Sequence, residues 1–492
     1  MPIPDDHAKG PQANPIHQIH QAGAPAPRPA VEQIAAFADS ARFEHLSSEN
    51  RQLMKRNILD SLGCALAALR GRPFAQLRQQ FGEFRGAGSC TLIGGGATSV
   101  DQAALYNSCL VRYVDLMDSY MSPGGLSHPS DNFGGVLAVA ESVGATGKDF
   151  LLALAVAYEV ASRFTATVPV MAKGFNHALQ LSMSMAAASG KLMKLTPQEI
   201  AHAIAMAAVD NVSLAAVHSE PVSQWKGISP GITAMRTVYT TAMAKRGFTG
   251  PLRLFEGPNG LNRMFDQDIR IDWANPSLEI VRHTVMKKYC SLIHGQPVIE
   301  AALDLKREHD LSADEVAEVI CETIQGGFDI AGGGSFGSKD HPTTKEQADY
   351  NLKYLIAVAL LDNAVGPAQL DEERVNAPDT QALLTKVKVE PSQRFTQAYP
   401  DHIGCRLTIR TQSGQTHVKE QASYEGGLDQ PLTWSRVVEK FNWLAEPYAD
   451  TPLREALIAE VEALDTRPVS TLMSLLADVR PHATFKATLR GL

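Results

Sequence analysis

Apolar residues recur at helical spacing from residue 30 to about 275. In "LMKRNILDSLGCALAAL" (53–69), Leu53, Ile58, Leu62, Leu66 and Leu69 fall along one stripe, the mark of a helix with one face in a core. "DFLLALAVAYEVASRF" (149–164) is apolar nearly all round, which predicts a helix buried inside a bundle. Thr196 to Glu199 supplies an N-cap hydroxyl, a proline at the first helical position and a glutamate three residues after the cap, so a helix starts there and runs through "IAHAIAMAAV". After residue 280 the period shortens. "VAEVICETI" (316–324) and "KVKVE" (386–390) read as strands, and "CRLTIRTQSGQTHVKEQ" (405–421) alternates on both sides of Ser413-Gly414 as a hairpin does. Helical patterns lie among them at 297–308 and 346–362, and return in "SRVVEKFNWLA" and "REALIAEVEAL". The pattern is an α+β segment inserted into an otherwise helical chain whose C-terminal part rejoins the first.

Composition narrows the partners. The 492 residues are 44% hydrophobic, ample for a large core, and carry a formal net charge of -8 without a Lys/Arg run, so nucleic acid is not the expected ligand. An anionic substrate has to be held by a few placed cations. Six cysteines (64, 90, 109, 290, 321 and 405) show no CxxC pairing, which argues against a zinc site, a ferredoxin-type cluster or a disulfide framework and fits a reducing cytoplasm. Residues 1–29, rich in Pro, Ala, Gln and Gly, predict a disordered tail in which His17 and His20 are poor metal ligands. No apolar run is expected to reach the roughly 20 residues of a membrane span.

Two glycine-rich stretches invite misreading. Gly332 to Gly337 spells GxGxxG, but the upstream strand does not feed straight into it and "SKDHP" follows, so a loop is expected and not a dinucleotide cradle. "GATGKD" (144–149) lacks the glycine spacing and hydroxyl of a phosphate loop and reads as a helix connection.

Chemistry-bearing residues gather in "DLMDSY" (115–120) and "SHPSDN" (127–132), between two apolar helices. The whole segment "VRYVDLMDSYMSPGGLSHPSDNFGGVLAVAE" (111–141) resembles the MmgE/PrpD family, which includes 2-methylcitrate dehydratase, cis-aconitate decarboxylase and an iminodisuccinate epimerase. The resemblance continues through "SQWKGISPGITAMRTVYTTAMAKRGFTGP" (223–251), "KKYCSLIHGQPVIEAALDL" (287–305) and "ADYNLKYLIAVALLD" (348–362), and spans roughly residues 35 to 445. It implies a mainly α fold with an α+β lid: a large all-helical domain built from both chain ends (30–280 and 429–492) plus a smaller α+β domain over 281–428, as a cytoplasmic homodimer without metal or other cofactor. It also implies site residues. Asp115, Ser119 and His128 fall in the family's acidic and His-Pro-Ser block, His177 in the place of a second catalytic histidine, Lys226 and Lys287 in those of two active-site lysines, and Tyr354 in that of a tyrosine reaching in from the lid. Three departures stand out: Ser119 replaces the usual threonine, Lys288 competes with Lys287 as the equivalent lysine, and Tyr350 stands where many members have histidine.

These residue types suit removal of a proton beside a carboxylate with loss of a poor leaving group. Such a step needs one base and one acid tuned near neutral pH, for which His128 and His177 are the natural pair, with Asp115 open as orienting group or base. Charge collecting on a carboxylate needs fixed cations, which Lys226 and Lys287 supply, while Ser119 and Tyr354 offer hydroxyls. Asp118 reads as a loop cap, and His294 and Gln296 as residues standing behind the site. The expected activity is a hydro-lyase dehydrating 2-methylcitrate, citrate or a related tricarboxylate. The alternatives are a decarboxylase or epimerase running on the same groups, or a helical binding protein that has kept the scaffold.

Overall fold

The computed structural model describes residues 28–84, 87–123 and 125–480. The expected tail, with His17 and His20, lies outside the described residues except for Arg28 and Pro29. Long helices at Ser48–Ala67, Val100–Tyr113, Phe133–Ser142, Gly147–Thr167, Ala178–Leu192, Pro197–Val209 and Trp225–Ala244 pack on one another as the dominant layer. Their ends follow the sequence signals. Thr146 accepts the Asp149 N–H and Thr196 the Glu199 N–H, each in a reciprocal capping box that contributes about 1 kcal/mol. "GATGKD" is therefore a helix start.

Two close approaches fix the middle of this layer. A Cβ on Gly134 would stand 2.2 Å from the Ser108 nitrogen, and one on Gly231 would stand 2.3 Å from Cys109 Sγ. Only glycine lets the Phe133–Ser142 and Trp225–Ala244 helices come this near to Val100–Tyr113.

The Gly147–Thr167 helix corrects one expectation. At 21 residues and a mean hydropathy of 1.3 in its most apolar window it is long and apolar enough to cross a membrane, yet 83% of that window is buried inside the protein. Its apolarity matches protein on all sides, as a bundle's central helix requires.

The strands expected after residue 280 form a four-stranded sheet in the order Val387–Pro391, Val316–Thr323, Cys405–Thr411, Thr416–Gln421. The first pair is parallel and the others antiparallel. Helices Gly295–His309 and Leu352–Asp362 pack on each other and on this sheet. Near the other end of the chain, Trp434–Ala445 and Thr451–Glu462 lie on Ser48–Ala67, and Val469–Asp478 lies on Phe133–Ser142. One continuous apolar core runs from Val31 to Val479.

A smaller sheet matters more for chemistry. Ser119–Ser122 pairs antiparallel with Gly125–Ser127, and its other edge pairs with Thr284–Val285. This hairpin occupies what the sequence presents as a loop, and its third strand brings Lys287 beside Asp115.

Candidate active site

The Val100–Tyr113 helix ends just before Asp115, whose φ of +50° is left-handed and turns the chain sharply. The turn places the Asp115 carboxylate, fully buried, among three cations. Arg112 Nη1 donates to Oδ1 at 3.0 Å, Lys226 Nζ to Oδ2 at 3.1 Å, and Lys287 Nζ to both Oδ1 and the Asp115 carbonyl. Burial opposes the charge on Asp115, but Lys287, Arg112 and Lys226 outweigh it and hold its pKa well below the usual carboxylate range. Lys226 also donates to Asp349 at 2.5 Å, and Lys345 sits 2.8 Å from the other Asp349 oxygen. Arg112, Lys226, Lys287 and Lys345 thus gather around Asp115 and Asp349, with Asp131 also acting on Arg112 and Glu346 on Lys345. Burial pulls the pKa of Lys226 and of Lys287 down, with the neighbouring carboxylates opposing.

The two histidines differ in the nitrogen that is tied. His128 Nδ1 is 2.8 Å from the Asp118 carbonyl, which can only accept, so Nδ1 carries the proton and Nε2 the lone pair. Ser119 Oγ, 3.1 Å from the same Nδ1, shares that proton. Burial, reinforced by Arg112 and Lys287, keeps the His128 pKa well below 6.5. His177 is tied at the opposite nitrogen, Nε2, 3.1 Å from Asp131 Oδ2. The two rings meet edge to face with centroids 5.0 Å apart. One imidazole therefore offers a lone pair beside another that is backed by a carboxylate, next to a cage of cations. This arrangement can move a proton and receive negative charge in one place.

Of the residues singled out from sequence, Asp115, Ser119, His128, His177, Lys226 and Lys287 come together. Lys287, not Lys288, joins the cluster; Lys288 turns to Glu300 and Glu425. Tyr354 does not join it. Its hydroxyl donates to the Gln369 carbonyl, because Tyr354 lies in the first turn of the Leu352–Asp362 helix and points into the core. Tyr350, one residue ahead of the capping Asn351, takes the place beside the cations: Lys226 Nζ lies 3.7 Å from its ring centroid. Asp118 ties down the His-Pro-Ser loop, accepting from Ser130 N at 3.0 Å, Asn57 Nδ2 at 2.9 Å and the Tyr158 hydroxyl at 2.7 Å. Gln296 holds the backbone after Lys287 by accepting from the Lys288 and Tyr289 N–H groups. His294, its pKa lowered by burial and then by Lys287 to about 4, starts the next helix.

Arg112, Asp131, His218 and Asp349 belong to the cluster and had not been singled out. The first two and Asp349 lie inside recognisable sequence blocks, whereas nothing in the sequence marks His218. The Gly332–Gly337 loop folds back so that its Phe336 carbonyl accepts from Glu220 N at 2.8 Å, a packing role. A cavity of about 660 Å³ is lined by Tyr113 and Lys345 among others, but by none of Asp115, His128, His177 and Lys226.

Family models settle the ancestry of this arrangement. The MmgE/PrpD N-terminal domain matches residues 32–274 and the MmgE/PrpD C-terminal domain residues 289–466. The chain belongs to the MmgE/PrpD family. Among relatives, this MmgE/PrpD chain is 24% identical over 458 residues to a cis-aconitate decarboxylase-like protein of Aspergillus oryzae, covering 87% of the chain and 92% of the relative. It is 26% identical over 380 residues to 2-methylcitrate dehydratase of Salmonella typhi, covering 73% and 77%. To 2-methylcitrate dehydratase of Cupriavidus necator it is 24% identical over 468 residues, covering 89% and 95%. Within the MmgE/PrpD chain Asp115, His128, His177 and Lys226 come from the first matched domain, Asp349 and Tyr350 from the second, and Lys287 from the segment between them.

Proposed function

We propose that this chain is a lyase that removes water from 2-methylcitrate or a closely related tricarboxylate such as citrate. The observation that carries the reading is the His128 Nε2 lone pair, set beside the His177–Asp131 pair at the edge of the cation cage. His128 takes the proton from the carbon next to a carboxylate. The electron pair of that C–H bond becomes the new carbon–carbon double bond as the neighbouring C–O bond breaks. His177, with Asp131 behind it, gives its proton to the departing hydroxyl, which leaves as water. Charge that collects on the carboxylate during proton loss meets Lys226, Lys287 and Arg112 in a site shielded from water. Asp115, already held by three cations, is a poor base and serves to gather them; Ser119 keeps His128 in its tautomer. Every group that moves a proton is a side chain, so the reaction requires no metal.

A second reading, decarboxylation of a cis-aconitate-type acid, is supported by the similarity to the cis-aconitate decarboxylase-like relative, 92% of which is covered. The two reactions part in their products. Purified protein given 2-methylcitrate is expected to generate near-ultraviolet absorbance from the conjugated double bond with no gas release, and to hydrate the unsaturated acid in reverse. Carbon dioxide evolved from cis-aconitate, with no absorbance change from methylcitrate or citrate, would reject dehydration in favour of the second reading.

A further inference from the structure

His218 lies in the same cluster, 4% exposed, stacked on Tyr350 with ring centroids 5.3 Å apart and planes 7° from parallel. The charged or titrating groups that act on it are His177, Arg112, Lys226 and Asp115. Its protonation pattern is fixed by a residue outside the cluster. Asn176 Oδ1 accepts the Ala178 backbone N–H at 3.0 Å, and a backbone N–H can only donate, so the amide orientation is determined. The other amide atom, Nδ2, is a donor and stands 2.9 Å from His218 Nε2. Nε2 must then accept, and the single imidazole proton resides on Nδ1. That Nδ1–H is buried and has no hydrogen-bond partner in the protein.

An orphaned buried donor costs about 1–3 kcal/mol. In the same cluster the fully buried Arg112 holds Asp115 through Nη1 and also bonds the Tyr350 side chain. His218 thus keeps a donor in reserve with no protein acceptor, within the field of the Arg112 charge. A ligand rich in acceptor oxygens is what such a donor matches.

We propose that His218 is a substrate contact and a determinant of specificity: with Nε2 held as an acceptor by Asn176, it presents Nδ1–H to a carboxylate oxygen of the bound acid, beside Arg112. This rests on the reading of the site as one for a polycarboxylate, and assigns one of its carboxylate subsites. Burial, aided by the positive charge of the cluster, keeps the His218 pKa well below 6.5, so the contact is a fixed donor across neutral pH and not a titrating cation. Because Nδ1–H is a donor with no acceptor lone pair, the subsite favours a carboxylate over an amide nitrogen or a protonated amine.

The test uses His218→Phe, which keeps an aromatic ring against Tyr350 but removes the donor, and His218→Asn, whose side-chain amide N–H reaches the Nδ1 position. Binding of propane-1,2,3-tricarboxylate, which lacks the hydroxyl and cannot be dehydrated, is measured by calorimetry, and turnover of 2-methylcitrate and cis-aconitate is measured separately. His218→Phe is expected to weaken binding about 10- to 100-fold, the range for a hydrogen bond to a charged group, and to raise KM more than it lowers kcat. His218→Asn is expected to recover most of the loss, which a purely structural role for the ring would not produce. A folded His218→Phe variant that binds the tricarboxylate as the wild type does would overturn the assignment while leaving the proposed reaction standing. Wild-type binding that depends on His218, with no turnover of either acid, would uphold the contact and reject the reaction. If the wild type bound no tricarboxylate, both would fall.

Discussion

His128 and His177 are tied at different nitrogens, and the roles proposed for them rest on this difference. A lone pair on His128 Nε2 fits a base, whereas the Asp131 carboxylate behind His177 supports an imidazolium that must give its proton away. His128→Asn and His177→Asn are each expected to lower kcat by about 10²-fold or more with little effect on folding, as steady-state kinetics and circular dichroism will show. The acid limb of kcat/KM should fall below pH 6.5, since the pKa of His128 is held down. His218 gives a stability prediction of definite sign. Its folded pKa is below 6.5, so between that pKa and 6.5 the unfolded chain binds the extra proton and stability falls as pH falls. Wild type should therefore lose about 1.4 kcal/mol per pH unit more than His218→Phe in that window, measured by urea unfolding at pH 7 and pH 5.5. Of the six gathered residues, Asp115, Ser119, His128, Lys226 and Lys287 were legible because they sit in ordered sequence blocks, and His177 by its place between two of them. Tyr354 misled because two tyrosines four positions apart straddle a helix start. Only the cap at Asn351 decides that Tyr350 faces the cations while Tyr354 enters the core. His218 was illegible because its meaning comes from Asn176, 42 positions away in the chain.

At the scale of elements, two helices carry the cation cage on their ends: Val100–Tyr113 carries Arg112 near its end, and Trp225–Ala244 carries Lys226 near its start. Their separation is set by Gly231, where an added Cβ would also come within 2.7 Å of the Leu105 carbonyl. Backbone cannot swing aside as a long side chain can. Gly231→Ala is expected to destabilise the protein by about 1–3 kcal/mol through overpacking. It should also lower activity by spreading Arg112 from Lys226 across Asp115. A Gly231→Ala protein with wild-type melting temperature and rate would show that the helices have slack. The long helices and the main sheet were readable because their periods persist over many residues. The hairpin that carries Ser119 was not: its strands are three and four residues long, and its third strand comes from Thr284–Val285, far along the chain. Such pairing leaves no local period to read.

Across the whole molecule, the site is fastened by a residue close to the other end of the chain. Lys440, 1% exposed on the Trp434–Ala445 helix, donates to the Leu116 carbonyl at 3.0 Å and to the Lys287 carbonyl at 2.6 Å, and pairs with Asp60 at 2.5 Å. One ammonium thus joins the turn that holds Asp115, the strand end that holds Lys287, and the Ser48–Ala67 helix. Lys440→Met leaves a buried carboxylate and two carbonyls without their donor, and is expected to cost about 3–5 kcal/mol. Asp60→Asn combined with Lys440→Met should recover part of that, and chemical denaturation of the two variants will show whether it does. The tie also sets an order in time. A ribosome delivers Asp115, His128, His177, Lys226 and Lys287 long before it delivers Lys440, so a nascent chain that already holds every proposed acid, base and cation still lacks the clamp that brings the two segments into register. The register of the two segments is therefore expected to be completed late in synthesis, once the Trp434–Ala445 helix has left the exit tunnel and docked.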